Sequence, residues 1–234
     1  ENNPNIVRAR ECFMAGDWKG AYEAYPPSYR EEKKLLSYLL QAGEKYAGAR
    51  SRIDLTARKL YFSAYQSYLF NLVLTERLRR AGVEPGRLLH GDLALLHRNG
   101  AVFRVEDLEA EAPRAASFEI SPTGPIFGMK MPAPGGLEAE IESELLGREG
   151  LRLEDFHQLM PKLRLEGGRR PFRVVVESLS WRLEGNDLYL EFFLPKGSYA
   201  TCLLREITKN EAVPDGFYEE GEVEKHKLWS PVLA

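Results

Sequence analysis

Residues 186–207, NDLYLEFFLPKGSYATCLLREI, contain the transition that decides the fold. The first half alternates large apolar residues with others, which is the period of a β-strand. A Lys-Gly-Ser turn follows, and then a short apolar segment with helical spacing that carries Arg205 and Glu206 in its second turn. The stretch therefore predicts a strand, a tight turn and a core helix over 198–209. A permanent cation in a buried helix would need a carboxylate partner from elsewhere.

The chain before this stretch predicts further β-structure. Residues 172–194 have the pattern of two strands joined by a turn at Gly185-Asn186, and Asn99-Gly100 predicts a second hairpin turn. By contrast, ISPTGPIFGMKMPAPGG (120–136) carries four prolines and four glycines, so it predicts a shaped loop. On the last strand one face is expected to hold Leu188, Leu190, Phe192 and Leu194.

The first part of the chain predicts helices. Residues 5–25 have helical spacing broken at Gly16, residues 30–47 place four leucines inward, and 57–82 carry a wide apolar face. The leucines are Leu35, Leu36, Leu39 and Leu40, and the wide face comprises Tyr61, Tyr65, Tyr68, Leu69, Leu72 and Val73. A fourth helix over 137–150 has glutamates at alternate positions, for which a solvated face is expected; they are Glu138, Glu140, Glu142 and Glu144.

Composition excludes several classes of protein. The 234 residues are 44% apolar and 29% charged with a net charge of −3, which is typical of a globular protein without a generally basic surface. No run is apolar enough to span a membrane and no signal peptide is evident, so we expect a cytoplasmic protein. The two cysteines and four histidines have no metal-ligand spacing, so no metal site is predicted.

Three stretches allow a functional interpretation beside a structural one. SAYQSYLFN (63–71) interleaves polar groups with aromatic rings, and GGRRP (167–171) places Arg169 and Arg170 in a glycine-rich turn. That arginine pair is either solvated or a clamp for phosphates. Arg205 pairs either with a structural aspartate or with a catalytic carboxylate that it keeps ionised. The residues themselves leave these alternatives open.

Four motifs together resemble the TruD family of tRNA pseudouridine synthases. In the family's order they are KLYFSAYQSYLFNLVLTERL (59–78), SPTGPIFG (121–128), LEGGRRP (165–171) and LPKGSYATCLLREI (194–207). The resemblance implies an α+β fold, in which a mostly helical insertion domain is combined with the antiparallel strands and helix of a pseudouridine-synthase core. On that template 1–166 would be insertion domain, 167–210 the C-terminal part of the catalytic domain, and 211–234 a tail. The boundary agrees with the change in composition near 167–172.

The resemblance also implies a reaction and a site. Pseudouridine synthases isomerise uridine in RNA without a cofactor by using an essential aspartate, and the family implies uridine 13 of tRNA. Arg205 would be the partner of that aspartate, and Leu204 would lie near the target base. No stretch here matches the family's G-x-K-D-x-x-A-x-T-x-Q motif, which carries the aspartate. We therefore expect this chain, which begins with Glu1, to be the C-terminal portion of such an enzyme, inactive by itself.

The expected partner is tRNA, whose phosphates would contact basic loop residues. The candidates are Arg169, Arg170, Lys196 and Lys130. A non-catalytic RNA-binding module is the alternative, because it would equally lack the aspartate motif. An α+β protein without any RNA role is compatible with the net charge but leaves the four ordered motifs unexplained.

Overall fold

The computed structural model describes residues 3–43, 48, 52–82, 84–128, 130–156 and 166–209. These residues belong to two compact units, one that ends at Ser63 and one that begins at Ala64. The boundary predicted at 166/167 falls inside the second unit, where strands from both sides of it pair in one sheet. No helix in the described part of the chain is both long enough and apolar enough to cross a membrane.

The unit up to Ser63 is helical. Its helices are α1 (Pro4–Met14), α2 (Trp18–Ala24), α3 (Arg30–Ala42) and the beginning of α4 (Leu55–Ala81). The predicted break at Gly16 is confirmed, and Asp17 caps α2 by accepting a hydrogen bond from the Gly20 amide at 2.8 Å. Leu36 and Leu39 are buried as expected, but Leu40 is 46% exposed. Residues 44–47, the end of the predicted second helix, lie outside the described residues.

The long helix α4 buries a different face from the one predicted. Leu69 and Val73 are buried, as expected. The three tyrosines are exposed instead, because Gln66, Phe70 and Leu74 occupy the inner face. Tyr61, Tyr65 and Tyr68 have exposed fractions of 44%, 36% and 48%. Helical periodicity identified the helix but could not decide which of two adjacent apolar stripes faces the core.

A four-stranded antiparallel sheet with strand order β2-β1-β3-β4 forms the centre of the second unit. Its strands are β1 (Leu93–Leu96), β2 (Val102–Arg104), β3 (Ile120–Ile126) and β4 (Gly168–Pro171), and the helices α5 (Leu108–Ala116) and α6 (Gly136–Arg148) belong to the same unit. The predicted turn at Asn99-Gly100 joins β1 to β2.

Strand β3 corrects the prediction of a loop over 120–136. The first half of the strand pairs with β1 and its second half with β4. The two prolines, which have no amide N–H to donate, therefore lie where the strand is paired on one side only. Pro122 still serves as an acceptor, since the Phe172 amide donates to its carbonyl oxygen at 2.9 Å. Only the part of the stretch between Ile126 and Gly136 has no regular structure among its described residues.

The predicted hairpin over 172–194 is present as β5 (Glu177–Glu184) and β6 (Asp187–Phe193), which pair with each other. The alternation on β6 is confirmed in that Leu190 and Phe192 are half-buried while Tyr189 and Phe193 are exposed; Leu188, on the same face as the first pair, is 47% exposed. The following helix α7 (Ala200–Thr208) was expected in the core, but it has no buried residue. Its apolar side chains are half-buried or exposed.

Candidate RNA-contacting and catalytic site

The motif GGRRP is joined to the turn before α7 by Arg170. Arg170 lies on β4, and its Nη2 donates a hydrogen bond to the Gly197 carbonyl oxygen at 2.9 Å. The guanidinium carbon is also 5.7 Å from the centre of the Phe70 ring. Gly197 has φ of +92°, a conformation that favours glycine, and Ser198 closes the turn by donating to the Pro195 carbonyl oxygen at 3.1 Å. Two separate motifs thus form one local surface.

Two of the predicted phosphate ligands lie at the surface. Lys196 is exposed in the turn that Arg170 holds. Lys130 is exposed as well, and its Nζ is 2.7 Å from Glu166 Oε1, a pair in which both side chains are about two-thirds exposed. An ion pair that exposed contributes little to stability and can be exchanged for another anion. Both lysines are therefore able to contact a phosphate.

Arg169 corrects the prediction of a phosphate clamp formed by both arginines. Its side chain has no exposed surface, and its Nη1 donates to Glu142 Oε1 at 2.6 Å. Two further donors are bound by Thr123, whose carbonyl oxygen accepts from Nη2 at 2.6 Å and whose hydroxyl accepts from Nε at 3.2 Å. Neighbouring side chains on a strand point to opposite faces, so only one of the two arginines can face outward.

Arg205 and Leu204 lie on the exposed side of α7. Leu204 is 39% exposed, whereas Cys202 and Leu203 on the other side are half-buried. Arg205 forms no ion pair with any residue that the structure describes, so its guanidinium has no internal carboxylate partner there. The structure does not join Arg205 to Arg170 or Lys130 by a contact. In the structure, Arg205 is thus an available cation next to the exposed Leu204.

The motif around SAYQSYLFN packs against two of the other motifs. Gln66 is buried on α4, and its Nε2 donates to the Phe127 carbonyl oxygen at 2.5 Å. Beside this bond the backbones of Gly128 and Gly167 touch, so that a Cβ added to Gly167 would lie 2.5 Å from Gly128 Cα. Gly167 also has φ of +76°. This close approach explains why GPIFG and EGGRR need glycine at these positions.

A buried charge cluster in the same unit was missed by the sequence analysis. Arg77 has no exposed side-chain surface and binds Asp92 with both terminal nitrogens, at 2.8 and 2.6 Å. Its Nη1 also donates to Glu138 Oε2 at 2.7 Å, and Nη2 to the Arg87 carbonyl oxygen at 2.9 Å. The guanidinium carbon lies 5.3 Å from the centre of the Phe172 ring. These contacts fix α4, α6 and the segment before β1 to one another.

The glutamates on α6 correct the prediction of a solvated face. Glu140 and Glu144 are exposed, but Glu138 and Glu142 are buried. Burial raises the pKa of Glu138 to about 7, against the opposing effect of Arg77. Burial likewise raises the pKa of Glu142 to about 7, although Arg169 beside it acts in the opposite direction. In the sequence, these like charges at i,i+4 cannot pair within their own helix. That pattern was the indication that arginines from other elements contact them.

The described residues contain no group of three or more His, Cys, Asp or Glu that could hold a metal ion. Both cysteines are free and half-buried. His97 contacts the buried Ser121 at 2.8 Å, and Arg173 Nε donates to the same hydroxyl at 2.9 Å. Since Ser121 is fully buried, this group holds the sheet together rather than forming a hydrolytic site.

Comparison with known proteins gives one consistent result. Residues 1–207 match the family model described as tRNA pseudouridine synthase D (TruD). The tRNA pseudouridine synthase D of Geotalea daltonii is 45% identical over 203 residues, which are 87% of this chain and 50% of that protein. A Thermus thermophilus protein of the same name is 44% identical over 158 residues, or 67% of this chain and 41% of its own length.

A solved structure agrees. The crystal structure of a Methanosarcina mazei protein described as a putative tRNA pseudouridine synthase D (TruD) superposes with a TM-score of 0.68 at 27% identity, covering 86% of this chain and 49% of that one. An α+β chain with these motifs and this neighbour is similar to proteins that are named as pseudouridine synthases. The chain belongs to the TruD family. It spans about half the length of the curated relatives it matches.

Proposed function

We propose that this chain acts in a tRNA pseudouridine synthase that converts a uridine of tRNA to pseudouridine. The observation that carries the proposal is the family match over residues 1–207, which includes the helix bearing Arg205. The family implies uridine 13 as the target. Action on tRNA also leads us to place the protein in the cytoplasm.

The reaction is an isomerisation. The bond between N1 of uracil and C1′ of the ribose breaks, the base turns, and a bond between C5 and C1′ forms. The hydrogen on C5 is lost to solvent and N1 gains one, so atoms and electrons balance without an oxidant or reductant. In the family an aspartate is essential for this step, and none of the aspartates in this sequence lies in the matching motif.

Arg205 is proposed as the partner of that aspartate. Its guanidinium is exposed and has no carboxylate partner among the described residues, so it is available to an incoming one. A cation close to a carboxylate favours the ionised form, which is the form required of a nucleophile or base. Leu204 is proposed as part of the apolar floor under a uracil that has left the RNA stack.

Arg170, Lys196 and Lys130 are proposed to contact the phosphates of tRNA. Arg170 acts in two ways, since it also holds the turn that carries Lys196. Arg169 is left out because its guanidinium is enclosed by Glu142 and Thr123. Each phosphate contact that is lost should reduce the dependence of tRNA affinity on salt.

The alternative is a non-catalytic RNA-binding module. One observation favours it: none of the 234 residues forms the aspartate motif, although all four of the other motifs are present. The two functions differ in whether Arg205 pairs with a catalytic carboxylate. RNA binding alone would need the basic residues but not the geometry of α7.

The test is release of tritium from tRNA that carries 5-tritiated uridine, measured beside tRNA binding by the same 234-residue chain. Formation of the C5 bond must expel the tritium, so release reports the reaction. We expect tRNA binding and no release, because the aspartate motif is absent. Release above background would mean that a carboxylate of this chain replaces the family aspartate, and absence of tRNA binding would contradict the proposal.

A further inference from the structure

A basic groove lies in the unit that ends at Ser63, and none of its described lining residues has been given a role above. It has a volume of about 710 Å³, is open to solvent, and is bordered by α2, α3 and Arg52. Four of its nine described lining residues are cations and two are tyrosines, whereas none is acidic; these six are Arg30, Lys33, Lys34, Arg52, Tyr22 and Tyr38. A polar groove of this composition suits an anionic ligand better than an apolar one.

Lys33 builds the wall of the groove. Its Nζ donates to the carbonyl oxygens of Tyr22 and Tyr25 at 2.6 and 2.8 Å, at the C-terminal end of α2. The same ammonium lies 4.3 Å from the centre of the Tyr22 ring. These contacts use two of its three donors and hold α2 against α3, so Lys33 is a positioning residue. Its charge nevertheless adds to the positive potential of the groove.

Arg30 and Arg52 supply the cations that are available to a ligand. Both side chains are exposed, and neither forms an ion pair within the described part of the chain. The guanidinium of Arg52 lies 5.3 Å from the centre of the Tyr38 ring, which restricts its orientation. Lys34 is less available because its Nζ is 2.6 Å from Glu31, in a pair where the lysine is 58% exposed.

The chemistry of these side chains favours phosphates that are carried on a nucleotide chain. A guanidinium matches a phosphate with two parallel hydrogen bonds, and an aromatic ring offers a surface on which bases stack without regard to sequence. An acidic peptide could pair with the cations, but it has no bases to stack on the tyrosine rings. We propose that this groove binds the sugar-phosphate backbone of RNA, with Arg30 and Arg52 as phosphate ligands and Tyr38 as a surface for a base.

The proposal rests on the proposed function for its choice of RNA, and it adds a contact that residues outside the α7 region provide. Its test uses the 234-residue chain and a short oligouridylate as the probe, with dissociation constants measured over a range of salt concentrations. The groove variant is Arg30→Glu/Arg52→Glu. The matched control is Arg8→Glu/Lys19→Glu, which reverses two exposed charges of the same unit outside the groove.

We expect the groove variant to bind at least about tenfold more weakly than the unmodified chain. Its salt slope should fall by about 1.4, the value for two lost contacts to single-stranded RNA. The control should change affinity less than about threefold. An Arg30→Gln/Arg52→Gln variant, which removes the charges without reversing them, should show a smaller loss of the same kind and keeps the test open if the reversal unfolds the unit.

Three results would overturn the proposal: no oligouridylate binding by the unmodified chain, equal losses in groove and control variants, or a groove variant that loses polyglutamate binding to the same extent. The proposed function is measured separately, as tritium release from tRNA by a fusion of residues 1–234 to the part of the Geotalea daltonii tRNA pseudouridine synthase D that lies outside its match to this chain. Tritium release by the fusion, together with a groove variant that binds oligouridylate as well as the unmodified chain, would contradict only the groove proposal. Weaker oligouridylate binding by the groove variant, without tritium release by the fusion, would contradict only the proposed enzymatic function.

Discussion

Arg170 Nη2 donates a hydrogen bond to the Gly197 carbonyl oxygen at 2.9 Å, which joins β4 to the turn that precedes α7. A single side chain thus connects two motifs that are 27 residues apart in sequence. The position of Lys196, and the start of the helix that carries Arg205, both depend on this turn.

Substitution of Arg170 by Ala should loosen the turn. A charge-assisted bond at an exposed site contributes about 1 kcal/mol, so the main effect should be local rather than global. We expect faster hydrogen exchange at the Ser198 amide, which donates to Pro195. Arg182→Ala is the control, since that arginine pairs with Glu184 inside the hairpin. Equal exchange at Ser198 in both variants would contradict the role of Arg170.

Substitution of Gly128 by Ala should be strongly destabilising. The new Cβ would meet the Gly167 backbone and would lie 2.6 Å from the Glu166 carbonyl oxygen, so two backbones must separate. We expect a loss of at least about 2 kcal/mol in the free energy of unfolding. Gly147→Ala, where a Cβ meets nothing within 4 Å on helix α6, should instead gain up to about 1 kcal/mol. Urea unfolding compares the two, and similar values would exclude the close packing described.

Substitution of Arg77 by Met should destabilise the second unit far more than the same change at Arg79. Loss of the guanidinium leaves Asp92 and Glu138 buried without their cation, which costs about 3–5 kcal/mol. Arg79 pairs with Glu76 but is 63% exposed, so its loss should change stability little. Thermal unfolding of both variants measures the difference. An equally small effect at both sites would show that the cluster is not a structural centre.

The buried Glu142 should make stability depend on pH. Burial raises its pKa from 4.5 to about 7, so the folded state holds a proton more tightly than the unfolded state. Its contribution is therefore fully present below about pH 4.5 and is lost as the pH rises through 7, by up to about 1.4 kcal/mol per pH unit. Glu142→Gln removes this contribution, so the difference in free energy of unfolding between unmodified chain and variant should fall from about pH 5 to about pH 8. The control Glu140→Gln, exposed on the same helix, should show no such trend. A pH-independent difference for Glu142→Gln would contradict the prediction.

The local elements could largely be predicted from sequence, because they depend on short-range patterns. Helical spacing located α3 and α6, and turn residues located the hairpins at Gly100 and Gly185. Strand β3 was missed because its prolines and glycine outweigh the signal of a strand whose pairing is divided between two partners. Local sequence contains no information on such a division.

The placement of the candidate site residues was predicted only in part, for a similar reason. Arg205 and Lys196 are exposed on the expected elements, and Arg170 is bound to the turn that carries Lys196. Arg169 could not be separated from Arg170 by sequence, since its burial depends on Glu142 and Thr123, which lie 27 and 46 residues away. Burial of charged groups is decided by partners that are distant along the chain.

A fusion protein tests whether Arg205 acts with the family aspartate in catalysis. The part of the Geotalea daltonii tRNA pseudouridine synthase D outside its match to this chain is fused to residues 1–234, and tritium release from tRNA with 5-tritiated uridine is followed. We expect release by the fusion and at least about a hundredfold slower release by its Arg205→Met variant, with tRNA affinity retained. A fusion that folds and binds tRNA without release, or an Arg205→Met variant as fast as its parent, would contradict this expectation.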